Sequence, residues 1–369
     1  MGIQNLNSIL KAVCPNAFYS LNITELSGKK IAIDAGIIMY KTMSICNKEV
    51  VNKTNVLCED IDNAEIETNW YKKVIYNAMR FLEFNITPIY VFDGKPHYLK
   101  EKYARAKRGI IREKLKEDIK NIKNELSSNP LDNLPEKIKE LQKKMSLDIK
   151  LNQNMLIKVL REIGIPCIVS NCEAERCCVS LCKDGVVDIV YSNDTDCLAW
   201  GCPYLMTDIS QRLYDPIRGS SYYMCSMISQ SYILLLLDIT NDYFVDFCIL
   251  CGCDYNKKIK GYGIMKLIDI LKNKKTFDDL NITEEQIKQL EVDIIRKEIF
   301  IHLPHNELIN DFGNILLDKE KIKQCRNLFS SLNIDGIIND LSVVIFNFKE
   351  INNNNILPKC GQSAFFNNL

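Results

Sequence analysis

Pro88-Ile89-Tyr90-Val91-Phe92-Asp93-Gly94 reads as a buried β-strand that stops at an acid. An apolar run of this length, rich in β-branched and aromatic residues and closed by Asp-Gly, fits a strand covered on both faces. Upstream, Lys30-Ile31-Ala32-Ile33 is a second short strand ending at Asp34, and Ile37–Met43 continues as an apolar helix. Between the two strands, residues 70–85 carry Trp70, Val74, Ala78, Phe81 and Leu82 at helical spacing. Downstream the alternation resumes, with a helix over 151–163, a strand Ile165–Val169, a helix over 173–183 and a strand Val187–Tyr191. Strand and helix in alternation predict an α/β fold with a doubly wound, mainly parallel sheet. Residues 211–225, with Leu213, Tyr214, Tyr222 and Tyr223 around Pro216 and Gly219, predict a hairpin. From 228 onward the pattern is helical. Phe244–Leu250 leads into the glycine-punctuated Gly252–Gly263, a helix from Met265 to Leu271 follows, and Leu280–Leu290 and 318–332 also read as helices. Asn352–Asn355 marks a low-complexity tail, and no internal repeat is present.

The chain has 369 residues, 47% of them hydrophobic and 25% charged, with 47 basic against 47 acidic side chains. That profile predicts a globular protein of about two domains. The zero net charge hides strong segregation. Residues 95–123 hold eleven basic side chains against four acids, about +7, whereas 171–254 hold twelve acids against four bases, about −8. No apolar stretch follows a basic start, so no signal peptide is expected. The apolar run Ile233–Leu237 falls far short of the ~20 residues of a membrane span. Position 6 is Leu6, which breaks a myristoylation signal at Met1-Gly2. An intracellular, reducing setting is expected, in which the 16 cysteines serve mainly as small buried hydrophobes. A structural zinc at Cys248/Cys251/Cys253 or Cys172/Cys177/Cys178/Cys182 is the alternative, disfavoured because Cys248 and Cys251 fall in an apolar helical run and His97, His302 and His305 are remote in sequence.

The acids fall at particular points. Asp34 and Asp93 end predicted strands; Glu173 and Glu175 follow the strand Ile165–Val169, and Asp194 and Asp196 follow Val187–Tyr191. In a doubly wound sheet the strand C-termini share one edge, where ligands bind. An i, i+2 pair in an extended segment shares a face, so each pair is expected to aim at a common centre. Any one loop acid is more simply a turn or N-cap residue. Six together, however, repel unless cations neutralise them. All-oxygen ligands select Mg²⁺ or Mn²⁺ over Zn²⁺, and two such ions about 3.5–4 Å apart serve in-line attack on a phosphodiester. The basic stretch 95–123 begins directly after Asp93, which suits a polyanionic ligand better than a solvated helix face. Gly261-Tyr262-Gly263, flanked by Lys257, Lys258, Lys260 and Lys266 and opening a predicted helix, suits a phosphate on exposed backbone N–H groups.

With these residues in place, the chain resembles the flap endonuclease family of structure-specific 5′ nucleases, which has a PIN-like fold. The resemblance rests on Met1-Gly2-Ile3-Gln4-Asn5-Leu6, Ile31–Ala35 through Tyr40, Val91–Pro96, Glu173-Ala174-Glu175, Asp194–Leu198 and Gly252-Cys253-Asp254-Tyr255, spread over about residues 1–272. It implies that Asp34, Asp93, Glu173, Glu175, Asp194, Asp196 and Asp254 hold two Mg²⁺ (or Mn²⁺) ions. It implies further that Lys100 polarises the scissile phosphate, with Lys107 or the adjacent Arg108 as the second cation at the arch base. Tyr40 matches an aromatic on which a base stacks, and Gly2 a backbone close to DNA. Gly261, Gly263 and Lys266 match the helix–two-turn–helix that grips duplex phosphates, in the family with K⁺. Tyr262 departs from the small aliphatic residue usual between those glycines, and the spacing of Gln362 and Phe365-Phe366 does not support a sliding-clamp motif.

The implied organisation is a nuclease block at 1–96, a basic helical arch at 97–150 and an internal nuclease block at 151–240. A helix–two-turn–helix region at 241–290 and a C-terminal helical region and tail at 291–369 complete it. The implied activity is metal-dependent cleavage of branched or 5′-flap DNA in replication and repair by a monomer without membrane contact. The implied setting is the nucleus, or a host nucleus or cytoplasm for a viral protein. The competing readings are a catalytically inactive DNA-binding module of the same fold and a PIN-like ribonuclease.

Overall fold

A computed structural model describes residues 2–55, 59–105, 109–110, 113–118, 120–122, 134–144, 152–210, 213–215, 220–312, 326–338, 340–341 and 344. Lys107, Arg108, Gln362, Phe365, Phe366, the Asn352–Asn355 tail and the 216–219 hairpin tip lie outside these residues. Ten strands are described: β1 Phe18–Asn22, β2 Lys30–Asp34, β3 Thr87–Phe92, β4 Cys167–Ser170, β5 Ile189–Tyr191, β6 Leu205–Ile209, β7 Leu213–Asp215, β8 Ser220–Tyr222, β9 Met224–Ile228 and β10 Ile309–Phe312. Eight of them form one sheet in the order β1-β9-β6-β5-β2-β3-β4-β10, and β7 pairs with β8 alone.

The centre of this sheet is parallel. Ile31–Ile33 pair with Ile189–Tyr191, Lys30–Asp34 with Thr87–Val91, and Tyr90–Phe92 with Cys167–Val169. Alternation splits each strand between two cores. Ile31, Ile33, Tyr90, Phe92, Cys167, Ile189 and Tyr191 face one; Ala32, Ile89, Val91, Ile168 and Val190 face the other. Helices Ala35–Lys53, Asn63–Glu83 and Gln153–Glu162 cover the first face, while Leu6–Val13, Ala174–Lys183, Asn241–Cys251 and Ile264–Lys272 cover the second. This is the expected doubly wound sheet, and both edges are antiparallel: β1/β9/β6 at one side and β10 against β4 at the other.

Several expected boundaries move for identifiable reasons. β4 starts at Cys167 rather than Ile165, because Gly164 turns left-handed (φ 84°) and the Ile165 N–H bonds back to Leu160 O at 2.8 Å, ending the preceding helix. Val186 and Val187 likewise donate to Leu181 O and belong to a helix end, so β5 starts at Ile189. Instead of one helix over Leu280–Leu290 there is a short turn, Phe277–Asp279, and a helix Glu284–Gln289. A capping box, in which Gln286 N–H meets Thr283 Oγ1 and Thr283 N–H meets Gln286 Oε1, starts the helix there. Of the helix expected over 318–332, only Arg326–Ser331 is described. The helix expected at Ile37–Met43 runs on to Lys53, because Cys46, Val50 and Val51 extend its buried face. The β7–β8 pair supplies the predicted hairpin.

Within the basic stretch, Tyr98–Lys100 continues into Glu101–Arg105; beyond it, helix Leu134–Lys144 packs against Ala35–Lys53, with the Asn47 amide donating to Gln142 O at 3.0 Å. Among the described residues no helix is long and apolar enough to cross a membrane. The described cysteines are free thiols, buried except for the half-buried Cys172.

Candidate active site

Four strand ends build the site. Asp34 is the last residue of β2, and it caps helix Ala35–Lys53 by accepting from the Gly36 N–H at 2.9 Å. Its other oxygen accepts from Ser192 Oγ at 3.1 Å, and the same hydroxyl accepts from the Asp194 N–H at 3.1 Å. One serine thus ties the end of β2 to the loop after β5. Asp93, just past β3, accepts from the Ala174 N–H at 2.9 Å and so caps the helix that follows β4. Gly94 lets these loops touch. A Cβ there would lie 2.1 Å from Ser170 O, and its N–H donates to Cys172 O at 2.7 Å.

The paired acids converge by a different route from the extended i, i+2 geometry that their spacing suggested. Glu173 is the N-cap and Glu175 lies in the first turn of helix Ala174–Lys183; Asp196 opens the short helix Asp196–Ala199. The Asp194 carboxylate accepts from the Asp196 N–H at 2.9 Å, folding that turn onto itself. Helix N-termini favour negative charge, so each turn offsets part of the cost of bringing acids together. Asp254 follows helix Asn241–Cys251 through Gly252, and the Gly252 carbonyl accepts from the Gln4 N–H at 2.8 Å, bringing the N-terminal segment alongside. Gly2 ends against the cluster: a Cβ on it would lie 2.1 Å from Asp194 Oδ1.

The acids share a field. Burial, then Asp93, push the Asp34 carboxyl up to about 7, against the pull of the Ser192 hydrogen bond. Burial and then Asp34 hold Glu175 well above the usual carboxylate range; burial, Asp194 and Asp254 do the same for Asp196. Asp194 is raised mainly by burial. Lys100 answers these charges. Its ammonium donates to Glu173 Oε2 at 2.8 Å, and although burial would lower its pKa, Glu175 and Glu173 raise it on balance.

The carboxylates face one another without closing on one centre: among the described residues no three His, Cys, Asp or Glu side chains stand in a metal-coordinating arrangement. The donor atoms still fit a hard cation. Glu173 Oε1, Glu175 Oε2 and both oxygens of Asp196 are buried with no hydrogen-bond partner. Buried carboxylate oxygens are costly unless something positive meets them, and an all-oxygen set suits Mg²⁺ or Mn²⁺.

Of the other sequence-derived residues, Tyr40 is half exposed on helix Ala35–Lys53. It lies four residues beyond Gly36, whose missing Cβ borders Asp34 and Asp93, and so shares the helix face nearest the acids. Gly261, Gly263 and Lys266 form a second group on the turn and helix after Asp254. Gly261 takes φ 89°, and Gly263 is the N-cap of Ile264–Lys272. Tyr262 is buried in the second core, with Lys266 Nζ 3.7 Å from its ring centroid, so the larger residue between the glycines acts as an anchor for the turn. Two residues were given no role by the sequence reading: Ser192, signalled only by its position two before Asp194, and Tyr255, quoted only as the end of the Gly252–Tyr255 motif. The Tyr255 hydroxyl donates a hydrogen bond to Glu173 Oε2.

Comparison with known proteins agrees with this arrangement. Residues 1–114 match the XPG N-terminal domain and residues 164–254 the XPG I-region. The chain is 30% identical over 331 residues to flap endonuclease 1 of Entamoeba histolytica, covering 88% of this chain and 81% of that one. It is 32% identical over 281 residues to flap endonuclease 1-2 of Paramecium tetraurelia, covering 76% and 67%. Solved structures that share the fold include the following two. The flap endonuclease-1 from Methanococcus jannaschii has a TM-score of 0.55 at 23% identity, over 89% of this chain and 96% of that one. The catalytic core of Rad2 in complex with DNA substrate has 0.57 at 15%, over 92% and 100%. On its two matched regions and its likeness to these relatives along most of their length, the chain belongs to the flap endonuclease family.

Proposed function

We propose that this chain hydrolyses phosphodiesters of branched or 5′-flap DNA as a divalent-metal-dependent, structure-specific 5′ nuclease. The observation that carries the proposal is the set of partnerless, buried carboxylate oxygens on Glu173, Glu175 and Asp196, three acids whose charge acts on the Lys100 ammonium. Asp34, Asp93, Glu173, Glu175, Asp194, Asp196 and Asp254 would hold two ions. Bound there, Mg²⁺ or Mn²⁺ supplies the positive charge and the water activation that phosphodiester hydrolysis needs. Lys100 lies beside the carboxylates on a short helical turn and offsets charge that develops on the scissile phosphate. Lys107 or Arg108 takes the second cationic role in this reading. Tyr40 offers a half-exposed ring for a base to stack on, and the Gly2 backbone abuts Asp194. Gly261, Gly263 and Lys266 grip duplex phosphates at a helix N-terminus, with K⁺ at that turn.

The chain divides into nuclease blocks at 1–96 and 151–240, an arch at 97–150, a duplex-binding region at 241–290 and a C-terminal region at 291–369. It works as a monomer on nuclear DNA. Related folds bound to DNA support the substrate class: Rad2 with DNA substrate and human GEN1 with Holliday junction DNA. An inactive binding module would have no use for seven converging acids. Incubation with a 5′-flap duplex, with Mg²⁺ and with chelator, tests the proposal. Metal-dependent incision near the junction is expected, and intact flap under both conditions would sink it.

A further inference from the structure

The Glu173 carboxylate is loaded unevenly. Its Oε2 takes two donors, the Lys100 ammonium at 2.8 Å and the Tyr255 hydroxyl, while its Oε1 is buried with none. The two donors differ in freedom. Lys100 retains 15% side-chain exposure in the helical segment Tyr98–Arg105 at the root of the basic stretch. Tyr255 is fully buried. Its ring meets Phe300 edge-on at 6.0 Å, Phe300 meets Trp200 edge-on at 5.6 Å, and the Trp200 indole N–H is tied to Ile299 O at 2.7 Å. The Lys100 ammonium stands 6.0 Å from the centroid of the Tyr255 ring, so all three groups occupy one corner of the site.

In the nuclease reading, on which this inference rests, Lys100 must leave Glu173 to serve the phosphate. Breaking a buried ion pair by removing one partner strands the other charge. We infer that Tyr255 is a positioning residue: its immobile hydroxyl keeps Glu173 anchored when Lys100 departs. That single bond has two consequences. Oε1 stays aimed into the carboxylate cluster, and Lys100 is released from an oxygen that remains satisfied. Without the hydroxyl, Glu173 loses its orientation, and Lys100 becomes the sole donor to Oε2.

Tyr255→Phe tests this, because it removes one oxygen and leaves the ring and its Phe300 contact. The expected result is a Mg²⁺ affinity of the DNA-free protein about 10- to 100-fold weaker, the usual cost of losing a partner that orients a metal ligand. Affinity is read by isothermal titration and by the Mg²⁺-dependent rise in Tm. The single-turnover rate on a 5′-flap duplex should fall alongside, with the Kd for that duplex in Ca²⁺ and the Tm in chelator near wild type. Phe300→Leu keeps the hydroxyl but loosens its support, and should show the same split to a smaller degree. Wild-type Mg²⁺ affinity in both variants overturns the inference, as does a lower Tm in chelator with Mg²⁺ affinity intact, the mark of mere packing. Failure of the wild-type protein to cleave would count against the nuclease reading, while the Mg²⁺ titrations would still decide the role of Tyr255.

Discussion

Chelation should give this protein an inverted pH–stability profile across the neutral range. Asp34 is buried at 5% exposure with its carboxyl pushed from 3.8 up to about 7. An acid whose folded pKa lies above its unfolded value contributes stability that is complete below the unfolded pKa and is lost as pH rises through the folded one. For these two values the loss between about pH 5 and about pH 8 is on the order of 3 kcal/mol from Asp34 alone. Glu175, Asp194 and Asp196 are raised too and add in the same direction. Asp184, which is lowered, releases its proton below this window and does not oppose the trend. At about 2 °C per kcal/mol for a chain of this size, Tm in chelator should fall by about 5 °C or more over that range. The measurement is thermal unfolding at constant ionic strength, in chelator and in excess Mg²⁺. Cation binding requires deprotonated carboxylates, so Mg²⁺ should stabilise most at the alkaline end and flatten the profile. Asp34→Asn should remove the Asp34 share. A Tm in chelator that is flat or rises toward pH 8 would refute the claim that these acids are held together against repulsion.

Other outcomes follow from local geometry. Gly2→Ala would put a Cβ 2.1 Å from Asp194 Oδ1 at a residue with φ +80°; displacement of about 1 Å at the site should slow single-turnover cleavage about 100-fold, and a wild-type rate would contradict this placement. Glu291, with φ 51°, accepts from Lys102 Nζ at 3.2 Å and Tyr103 hydroxyl at 3.1 Å, linking the root of the basic stretch to the C-terminal region. Lys102 is over half exposed, so solvent screens the ion pair, and Glu291→Gln should slow cleavage no more than about 5-fold; a 100-fold loss in a rate assay would contradict that weight. If about six phosphates are neutralised, log K for flap duplex against log salt should slope near −5, and a flat response in a binding titration would remove the lysine-rich elements from the grip.

The central parallel strands were legible because burial on both faces leaves runs such as Ile89–Phe92 without polar interruption. The flanking strands β1, β6, β9 and β10, which make the antiparallel pairs, were not, because polar residues such as Ser20, Asp208, Ser226 and Asp311 interrupt them and each gains its pattern only from the neighbour it pairs with. The strand-end acids were legible by position, since strand polarity in a parallel sheet sends every C-terminus to one rim. How the paired acids converge was misread: the spacing suggested extended segments, whereas helix N-termini turn Glu173, Glu175 and Asp196 inward, and the amides that favour that turn are supplied by the fold.

The amino-acid sequence by itself determined the sheet's parallel core, the segregation of a basic stretch from an acidic one beneath a zero net charge, and the rim on which the acids gather. All three depend on local hydrophobic runs and on chain polarity, which can be read along the chain. Only the tertiary structure decided which donors meet which carboxylate. Tyr255 and Lys100 lie 155 positions apart, yet share one oxygen of Glu173, and Ser192 joins Asp34 to Asp194. Such assignments depend on distances across packed elements, where a buried charge must be met by whatever group the fold brings within hydrogen-bond reach.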